Sequence, residues 1–193
     1  HTIGRRQRQM CIRDSNPPDA TAWGLHGAIH KLCPHAKCIM HVHSVYATTL
    51  ASIDECILPP INQVASIFFN RQVVDKNYGG LAFEEEGKRC ADLLSDPKKH
   101  TFIMGNHGIL IFGQNVAETF NRLFYFERAA KIYVQALQTG KTLSILDDVI
   151  AEKTAQELEN EEYPNPAGTA FLREIKLILC LLYTSPSPRD TLL

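Results

Sequence analysis

Long apolar runs are absent from these 193 residues, and with them any stretch that could cross a bilayer as a helix. Charge of one sign is lacking too: 20 Lys and Arg stand against 21 Asp and Glu, a formal net charge of −1. That balance, with 45% hydrophobic residues, excludes a chain disordered throughout. The six cysteines contain no C-x-x-C pair and no regular spacing, so they imply no disulfide framework. Internal repeats are missing as well. What is present is the composition of a reduced, cytoplasmic, globular domain large enough for one core.

The two ends differ from the middle. Residues 1–15 (HTIGRRQRQMCIRDS) carry four arginines, and residues 180–193 (CLLYTSPSPRDTLL) repeat Ser-Pro. Arg5 to Asp14 resemble a translated transposase adapter from sequencing-library preparation, CGT CGG CAG CGT CAG ATG TGT ATA AGA GAC. CLLYTSPSPRD resembles the translated adapter from the other side, which begins TGT CTC TTA TAC ACA TCT. Both ends are therefore expected to be adapter-derived and are set aside from fold reasoning. That leaves residues 16–179 as one domain, a fragment with no natural start or stop. Without the ends the charge balance turns more acidic. The basic arm disappears, and with it the electrostatic case for nucleic acid.

Within that segment, DATAWGLHGAIHKL (19–32) has helical spacing, with Trp23, His26, Ile29 and His30 near one face, Asp19 as cap and Pro34 as stop. KCIMHVHS reads as a buried strand, VYATTLASI as a short helix and ASIFFNRQVV as strand-like. Tyr78-Gly79-Gly80 reads as a turn, and FEEEGKRCADLLSD as an amphipathic helix. TFIM and ILIF, divided by Gly-Asn-His-Gly, predict a hairpin or an interrupted strand. The longest helix starts at an Asn115 cap, ends at Gly140 and places Val116, Phe120, Leu123, Phe124, Ala130, Val134 and Leu137 at helical spacing. DDVIAEKTAQELENEE predicts an acidic helix with a solvated face, and GTAFLREIKLIL a last helix. Strands mixed with helices imply an α/β layer fold.

Seven histidines lie in this segment, and His41 and His43 stand out. On a strand, residues two apart project from one face, so H-x-H can present two imidazoles to one ion. Zinc takes such nitrogens at about 2.0–2.1 Å. His107, between Gly105-Asn106 and Gly108, is the best third ligand, because small neighbours let the backbone come close. His26 and His30 share a helix face but lack the glutamate of H-E-x-x-H, which leaves packing beside the site or hydrogen bonding to it. Tyr46, Asn106 and Tyr163 could donate hydrogen bonds near the site. His35 and His100, beside loop residues and lysine, are expected at the surface, and Cys33 and Cys38 as small core residues.

Three blocks carry a specific likeness. HGAIHKLCPHAKCIMHVHSVYATTLAS, LPPINQ and MGNHGILIFGQNVAETFNRLFYFERAAKIYVQAL occur in order and resemble the class II aldolase/adducin family. The resemblance implies an α/β/α sandwich around a mainly antiparallel sheet and a homotetramer. It also implies Zn2+ or another divalent metal held by His41, His43 and His107. It further implies a lyase or epimerase that stabilises an enediolate of a small sugar, sugar phosphate or hydroxy-carbonyl substrate. The family's aldolases place a glutamate four residues before the first histidine of the helix; here that position is Ala22, so the acid/base is unassigned. The other reading is an adducin-like, non-catalytic binding or assembly domain. Neither reading calls for a nucleic-acid or membrane partner.

Overall fold

Alternation within TFIM and ILIF sets the architecture. Ile103, Ile109 and Ile111 pack into one hydrophobic core, while Phe102, Met104, Leu110 and Phe112 pack into another. A sheet buried on both faces needs a helical layer on each side. The computed structural model describes residues 20–77 and 84–161 and shows this arrangement. In chain order it contains α1 (Ala20–Leu32), β1 (Cys38–Val42), α2 (Val45–Ala51), α3 (Gln63–Ser66) and β2 (Gln72–Asp75). There follow α4 (Glu84–Leu93), β3 (Thr101–Met104), β4 (Gly108–Gly113), α5 (Val116–Gln138) and α6 (Asp148–Glu161). The sheet order is β1-β4-β3-β2. β4 is antiparallel to both its neighbours, and β2 runs parallel to β3. The expected α/β/α sandwich with a mainly antiparallel sheet is the observed fold.

α1 and α4 cover one face and pair through backbone proximity. A Cβ on Gly87 would stand 2.4 Å from the Gly24 carbonyl oxygen and 3.0 Å from the Ala28 Cβ. That close crossing sets which face of α1 is buried. Leu25 and Ile29 enter the core, whereas Trp23 is 61% exposed and His30 is exposed, so the face expected from Trp23, His26, Ile29 and His30 is rotated.

α2, α3 and α5 cover the other face. α5 does start at an Asn115 cap, whose side chain accepts from the Glu118 N–H, and Gly140 follows its end at φ +66°. Of the expected set, Ala130 is buried and Leu123 packs against the core, whereas Val116, Phe124 and Leu137 are exposed; Ala117, Phe126, Ala129 and Tyr133 are buried in addition. Full burial of one Phe such as Phe126 stabilises by about 1.5–3 kcal/mol.

Three more expectations change. Residues 65–74 are not one strand: Asn62 caps α3 by accepting from the Ala65 N–H, and Asn70 at φ +55° turns the chain before β2 begins. β1 is half-buried because it is the sheet edge. The acidic helix α6 is not simply solvated, since Glu152 and Glu159 bind Arg71, itself only 1% exposed. The hairpin of β3 and β4 and the burial of Cys33 are as expected, and Cys38 is half-buried. Among the described residues no helix is long and apolar enough to cross a membrane. Asp19, the Tyr78-Gly79-Gly80 turn, Tyr163, the helix from GTAFLREIKLIL and both terminal segments lie outside the described residues.

Candidate metal centre

β1 delivers the first two histidines. Ile39 packs toward the α1–α4 layer and Val42 toward the other, so strand alternation puts His41 and His43 on the α1–α4 side. His107 comes from the turn between β3 and β4. The turn is closed by the His107 N–H donating to the Met104 carbonyl at 3.0 Å, and Asn106 at φ +59° takes the left-handed place that asparagine tolerates.

The three rings converge. Ring centroids lie 4.8 Å apart for His41–His43, 5.1 Å for His41–His107 and 4.6 Å for His43–His107. One nitrogen from each falls within 4.8 Å of the others, and the Nε2 atoms of His41 and His43 are 3.0 Å apart. Two nitrogens on a tetrahedral zinc sit about 3.3 Å apart, so the spacing suits a shared ion.

Proton placement suits it too. His41 Nδ1 donates to the Ile109 carbonyl at 2.9 Å, which leaves its Nε2 lone pair facing the other rings. Burial, followed by the neighbouring His107, His43 and His26, lowers the His41 pKa to about 4 despite the opposing pull of that carbonyl. His107 is lowered by burial and then by His43. Neutral imidazoles are the ligating form.

Gly108 makes the approach possible. A Cβ there would lie 2.6 Å from the Val42 carbonyl oxygen and 2.7 Å from His43 Cδ2. Any side chain would push the His43 ring and the β1 backbone away.

The remaining candidates divide. His26 sits near enough to His41 to lower its pKa, and is itself lowered by burial and then by His30. His30 Nδ1 donates to the Ala36 carbonyl at 2.9 Å, holding the loop after α1. Tyr46 packs on the α2–α5 side, with the Lys131 ammonium 5.3 Å from its ring centroid. Asn106 binds through its backbone, donating to the Ala51 carbonyl at 2.8 Å, and lines a separate groove with Ser52, Asp54 and Lys76. Ala22 is exposed and offers no carboxylate. His100 is not at the surface: it is 5% exposed, its Nδ1 is 3.0 Å from Thr101 Oγ1, and burial keeps it neutral.

Sequence reading missed Glu127. This α5 carboxylate accepts from Ser44 Oγ at 2.7 Å and from the Tyr46 and Ala47 N–H groups at 2.9 Å each, next to His43. Ser44 reads only as the end of the strand-like run KCIMHVHS, and its partner lies 83 residues away. Asp75, Glu86 and Cys90 form a second convergent group. Arg89 already pairs with both carboxylates there, and burial pushes the Cys90 thiol up to about 12, so that group is a closed ion pair.

Known proteins share this framework. Residues 4–134 match the class II aldolase and adducin N-terminal domain. Mouse gamma-adducin is 31% identical over 119 residues, 62% of this chain and 16% of that protein. L-fuculose 1-phosphate aldolase from Glaciozyma antarctica PI12 superposes with a TM-score of 0.71 at 21% identity, covering 84% of this chain and 60% of that one. A further L-fuculose 1-phosphate aldolase gives a TM-score of 0.64 at 26% identity, covering 75% and 66%. The chain thus spans under two thirds of each of these proteins. With its matched stretch, its layered sheet and its histidine-bearing hairpin, the chain belongs to the class II aldolase and adducin N-terminal domain family.

Proposed function

We propose that His41, His43 and His107 hold a divalent cation, zinc by preference of three imidazoles, in a lyase or epimerase acting on a small sugar or hydroxy-carbonyl compound. The observation that carries this reading is the convergence of three imidazoles, with His41 held in the tautomer that turns its unprotonated Nε2 toward the other rings. A bound cation would supply Lewis acidity that stabilises an enediolate of the substrate. The chain's own residues orient that site. Ile109 fixes the His41 ring, Gly108 admits the His43 ring, and the Asn106 turn holds His107. Likeness at 26% identity to an L-fuculose 1-phosphate aldolase supports a sugar-type substrate; a cytoplasmic setting and assembly into a homotetramer are part of the same proposal. The acid/base is unassigned, since Ala22 offers no carboxylate.

A second reading has its own observation. Alanine at position 22 and likeness to gamma-adducin favour a domain that binds metal and assembles without turnover. Screening phosphorylated and free ketoses for metal-dependent retro-aldol or epimerase activity separates the two. Turnover that disappears in His107→Ala supports the enzyme; no turnover across the panel, with metal bound, supports the assembly domain.

We also propose that residues 1–15 and 180–193 are adapter-encoded. The family match begins at residue 4, so this proposal rests only on the likeness of these residues to the translated adapters. Sequencing the genomic locus tests it: codons contiguous with the gene would overturn it.

A further inference from the structure

We propose that Glu127 is a positioning residue for the histidine cluster, acting through α2; this rests on the metal reading above. α2 begins two residues after His43, and its Ser44 cap residue does not cap it: the Ser44 side chain makes no bond to the helix N-terminus. Glu127 takes that place from α5. Its Oε1 accepts from the Tyr46 N–H, and its Oε2 accepts from the Ala47 N–H and Ser44 Oγ–H. A carboxylate at a helix N-terminus is favoured by the helix dipole, and charge-assisted bonds to fixed N–H groups are directional. Lys131, one turn further along α5, adds its ammonium over the Tyr46 ring.

The other end of α2 touches the third histidine's turn. The Ala51 carbonyl, at the last residue of α2, accepts from the Asn106 N–H at 2.8 Å. One short helix therefore spans from the residue after His43 to the residue before His107. The backbone of His43 is held on one side by the β1 ladder, where Val42 pairs with Ile109, and on the other by the Ser44–Glu127 bond. Glu127 sets where α2 starts, and α2 sets the separation of the two ligand-bearing segments. The His43 side chain is itself exposed, so packing alone does not fix it. Backbone anchoring does that work.

The test uses Glu127→Gln, which keeps the volume but puts an amide donor among three donors, and the milder Ser44→Ala. In the whole chain without metal, the imidazole NMR signals of His43 and His107 should shift in both variants, while His100 at the far end of the sheet stays in place. Zinc affinity, read by competition with a chromogenic chelator, should fall about tenfold in Glu127→Gln and by a smaller factor in Ser44→Ala. Unchanged His43 and His107 signals with a lower melting temperature would show a merely structural role and overturn the proposal. Shifted signals in a protein that binds no zinc would leave the positioning intact and overturn the metal reading.

Discussion

Two clusters of titratable side chains sit at opposite ends of the same sheet and are built on opposite electrostatic logic. At the β3–β4 turn, three imidazoles meet like with like: burial first, and then neighbouring rings, lower the pKa of His41 and of His107. At the start of β2, Arg71 meets its opposites: its guanidinium donates to Glu152 and Glu159 and to the Phe69 carbonyl. Lys98 and Gln156 close the network around Glu152. Opposite charges in contact satisfy one another and fasten α6 to the sheet. Like groups in contact can share at most a hydrogen bond, such as that between the His41 and His43 Nε2 atoms, and their common lone-pair chemistry suits the proposed cation. The contrast separates a fastening from the proposed binding site.

The comparison breaks if the two ends respond alike to mutation. The largest effect is expected from His107→Ala, which should weaken zinc binding by a factor of roughly a hundred or more, as loss of one of three protein ligands does, with little change in apo melting temperature. Isothermal titration and thermal unfolding check it together. Arg71→Ala should do the reverse. It should destabilise the fold by about 2–3 kcal/mol, below the usual cost of orphaning a buried partner because both carboxylates keep some solvent contact. Zinc affinity should stay within twofold of the unaltered chain. A urea midpoint and the chelator competition measure the two quantities.

Gly108→Ala sharpens the contrast because it acts on both properties. The new Cβ must displace the Val42 carbonyl and the His43 ring, so stability should fall by about 1–3 kcal/mol and metal affinity should fall with it. The smallest effect is in the acid range. Arg71's hydrogen bond holds Glu152 down to about 2 from its ordinary 4.5. A folded value below the unfolded one contributes stability that is full above about 4.5 and lost as pH falls toward about 2. Glu152→Gln should therefore flatten the fall in urea midpoint across that window. An unaltered acid limb would show that the Arg71 network does not fasten α6. Buried His100, together with His26, His41 and His107, whose pKa values are also lowered, adds acid sensitivity of its own.

Much of the binding end was legible in sequence, and little of the fastening end. His41 and His43 announce themselves because strand alternation is strictly periodic, and Gly-Asn-His-Gly marks a turn that carries His107. The Arg71 pairs join residues 81 and 88 positions apart, which no local pattern reveals, so the acids of α6 look merely solvated. His100 follows two lysines and reads as surface, yet its N–H donates to the Arg71 carbonyl inside the sheet. On α1 and α5 the spacing identified helices but not their buried faces. Close contacts such as Gly24–Gly87 select small residues, and a hydrophobicity pattern weights large ones.

The central claim is that the three imidazoles share one cation. Zinc titration of the intact chain, monitored by metal analysis after dialysis, tests it most directly. One zinc per chain, lost in His41→Ala, is the expected result. Zinc well below one per chain, and unaltered by His41→Ala, would contradict it.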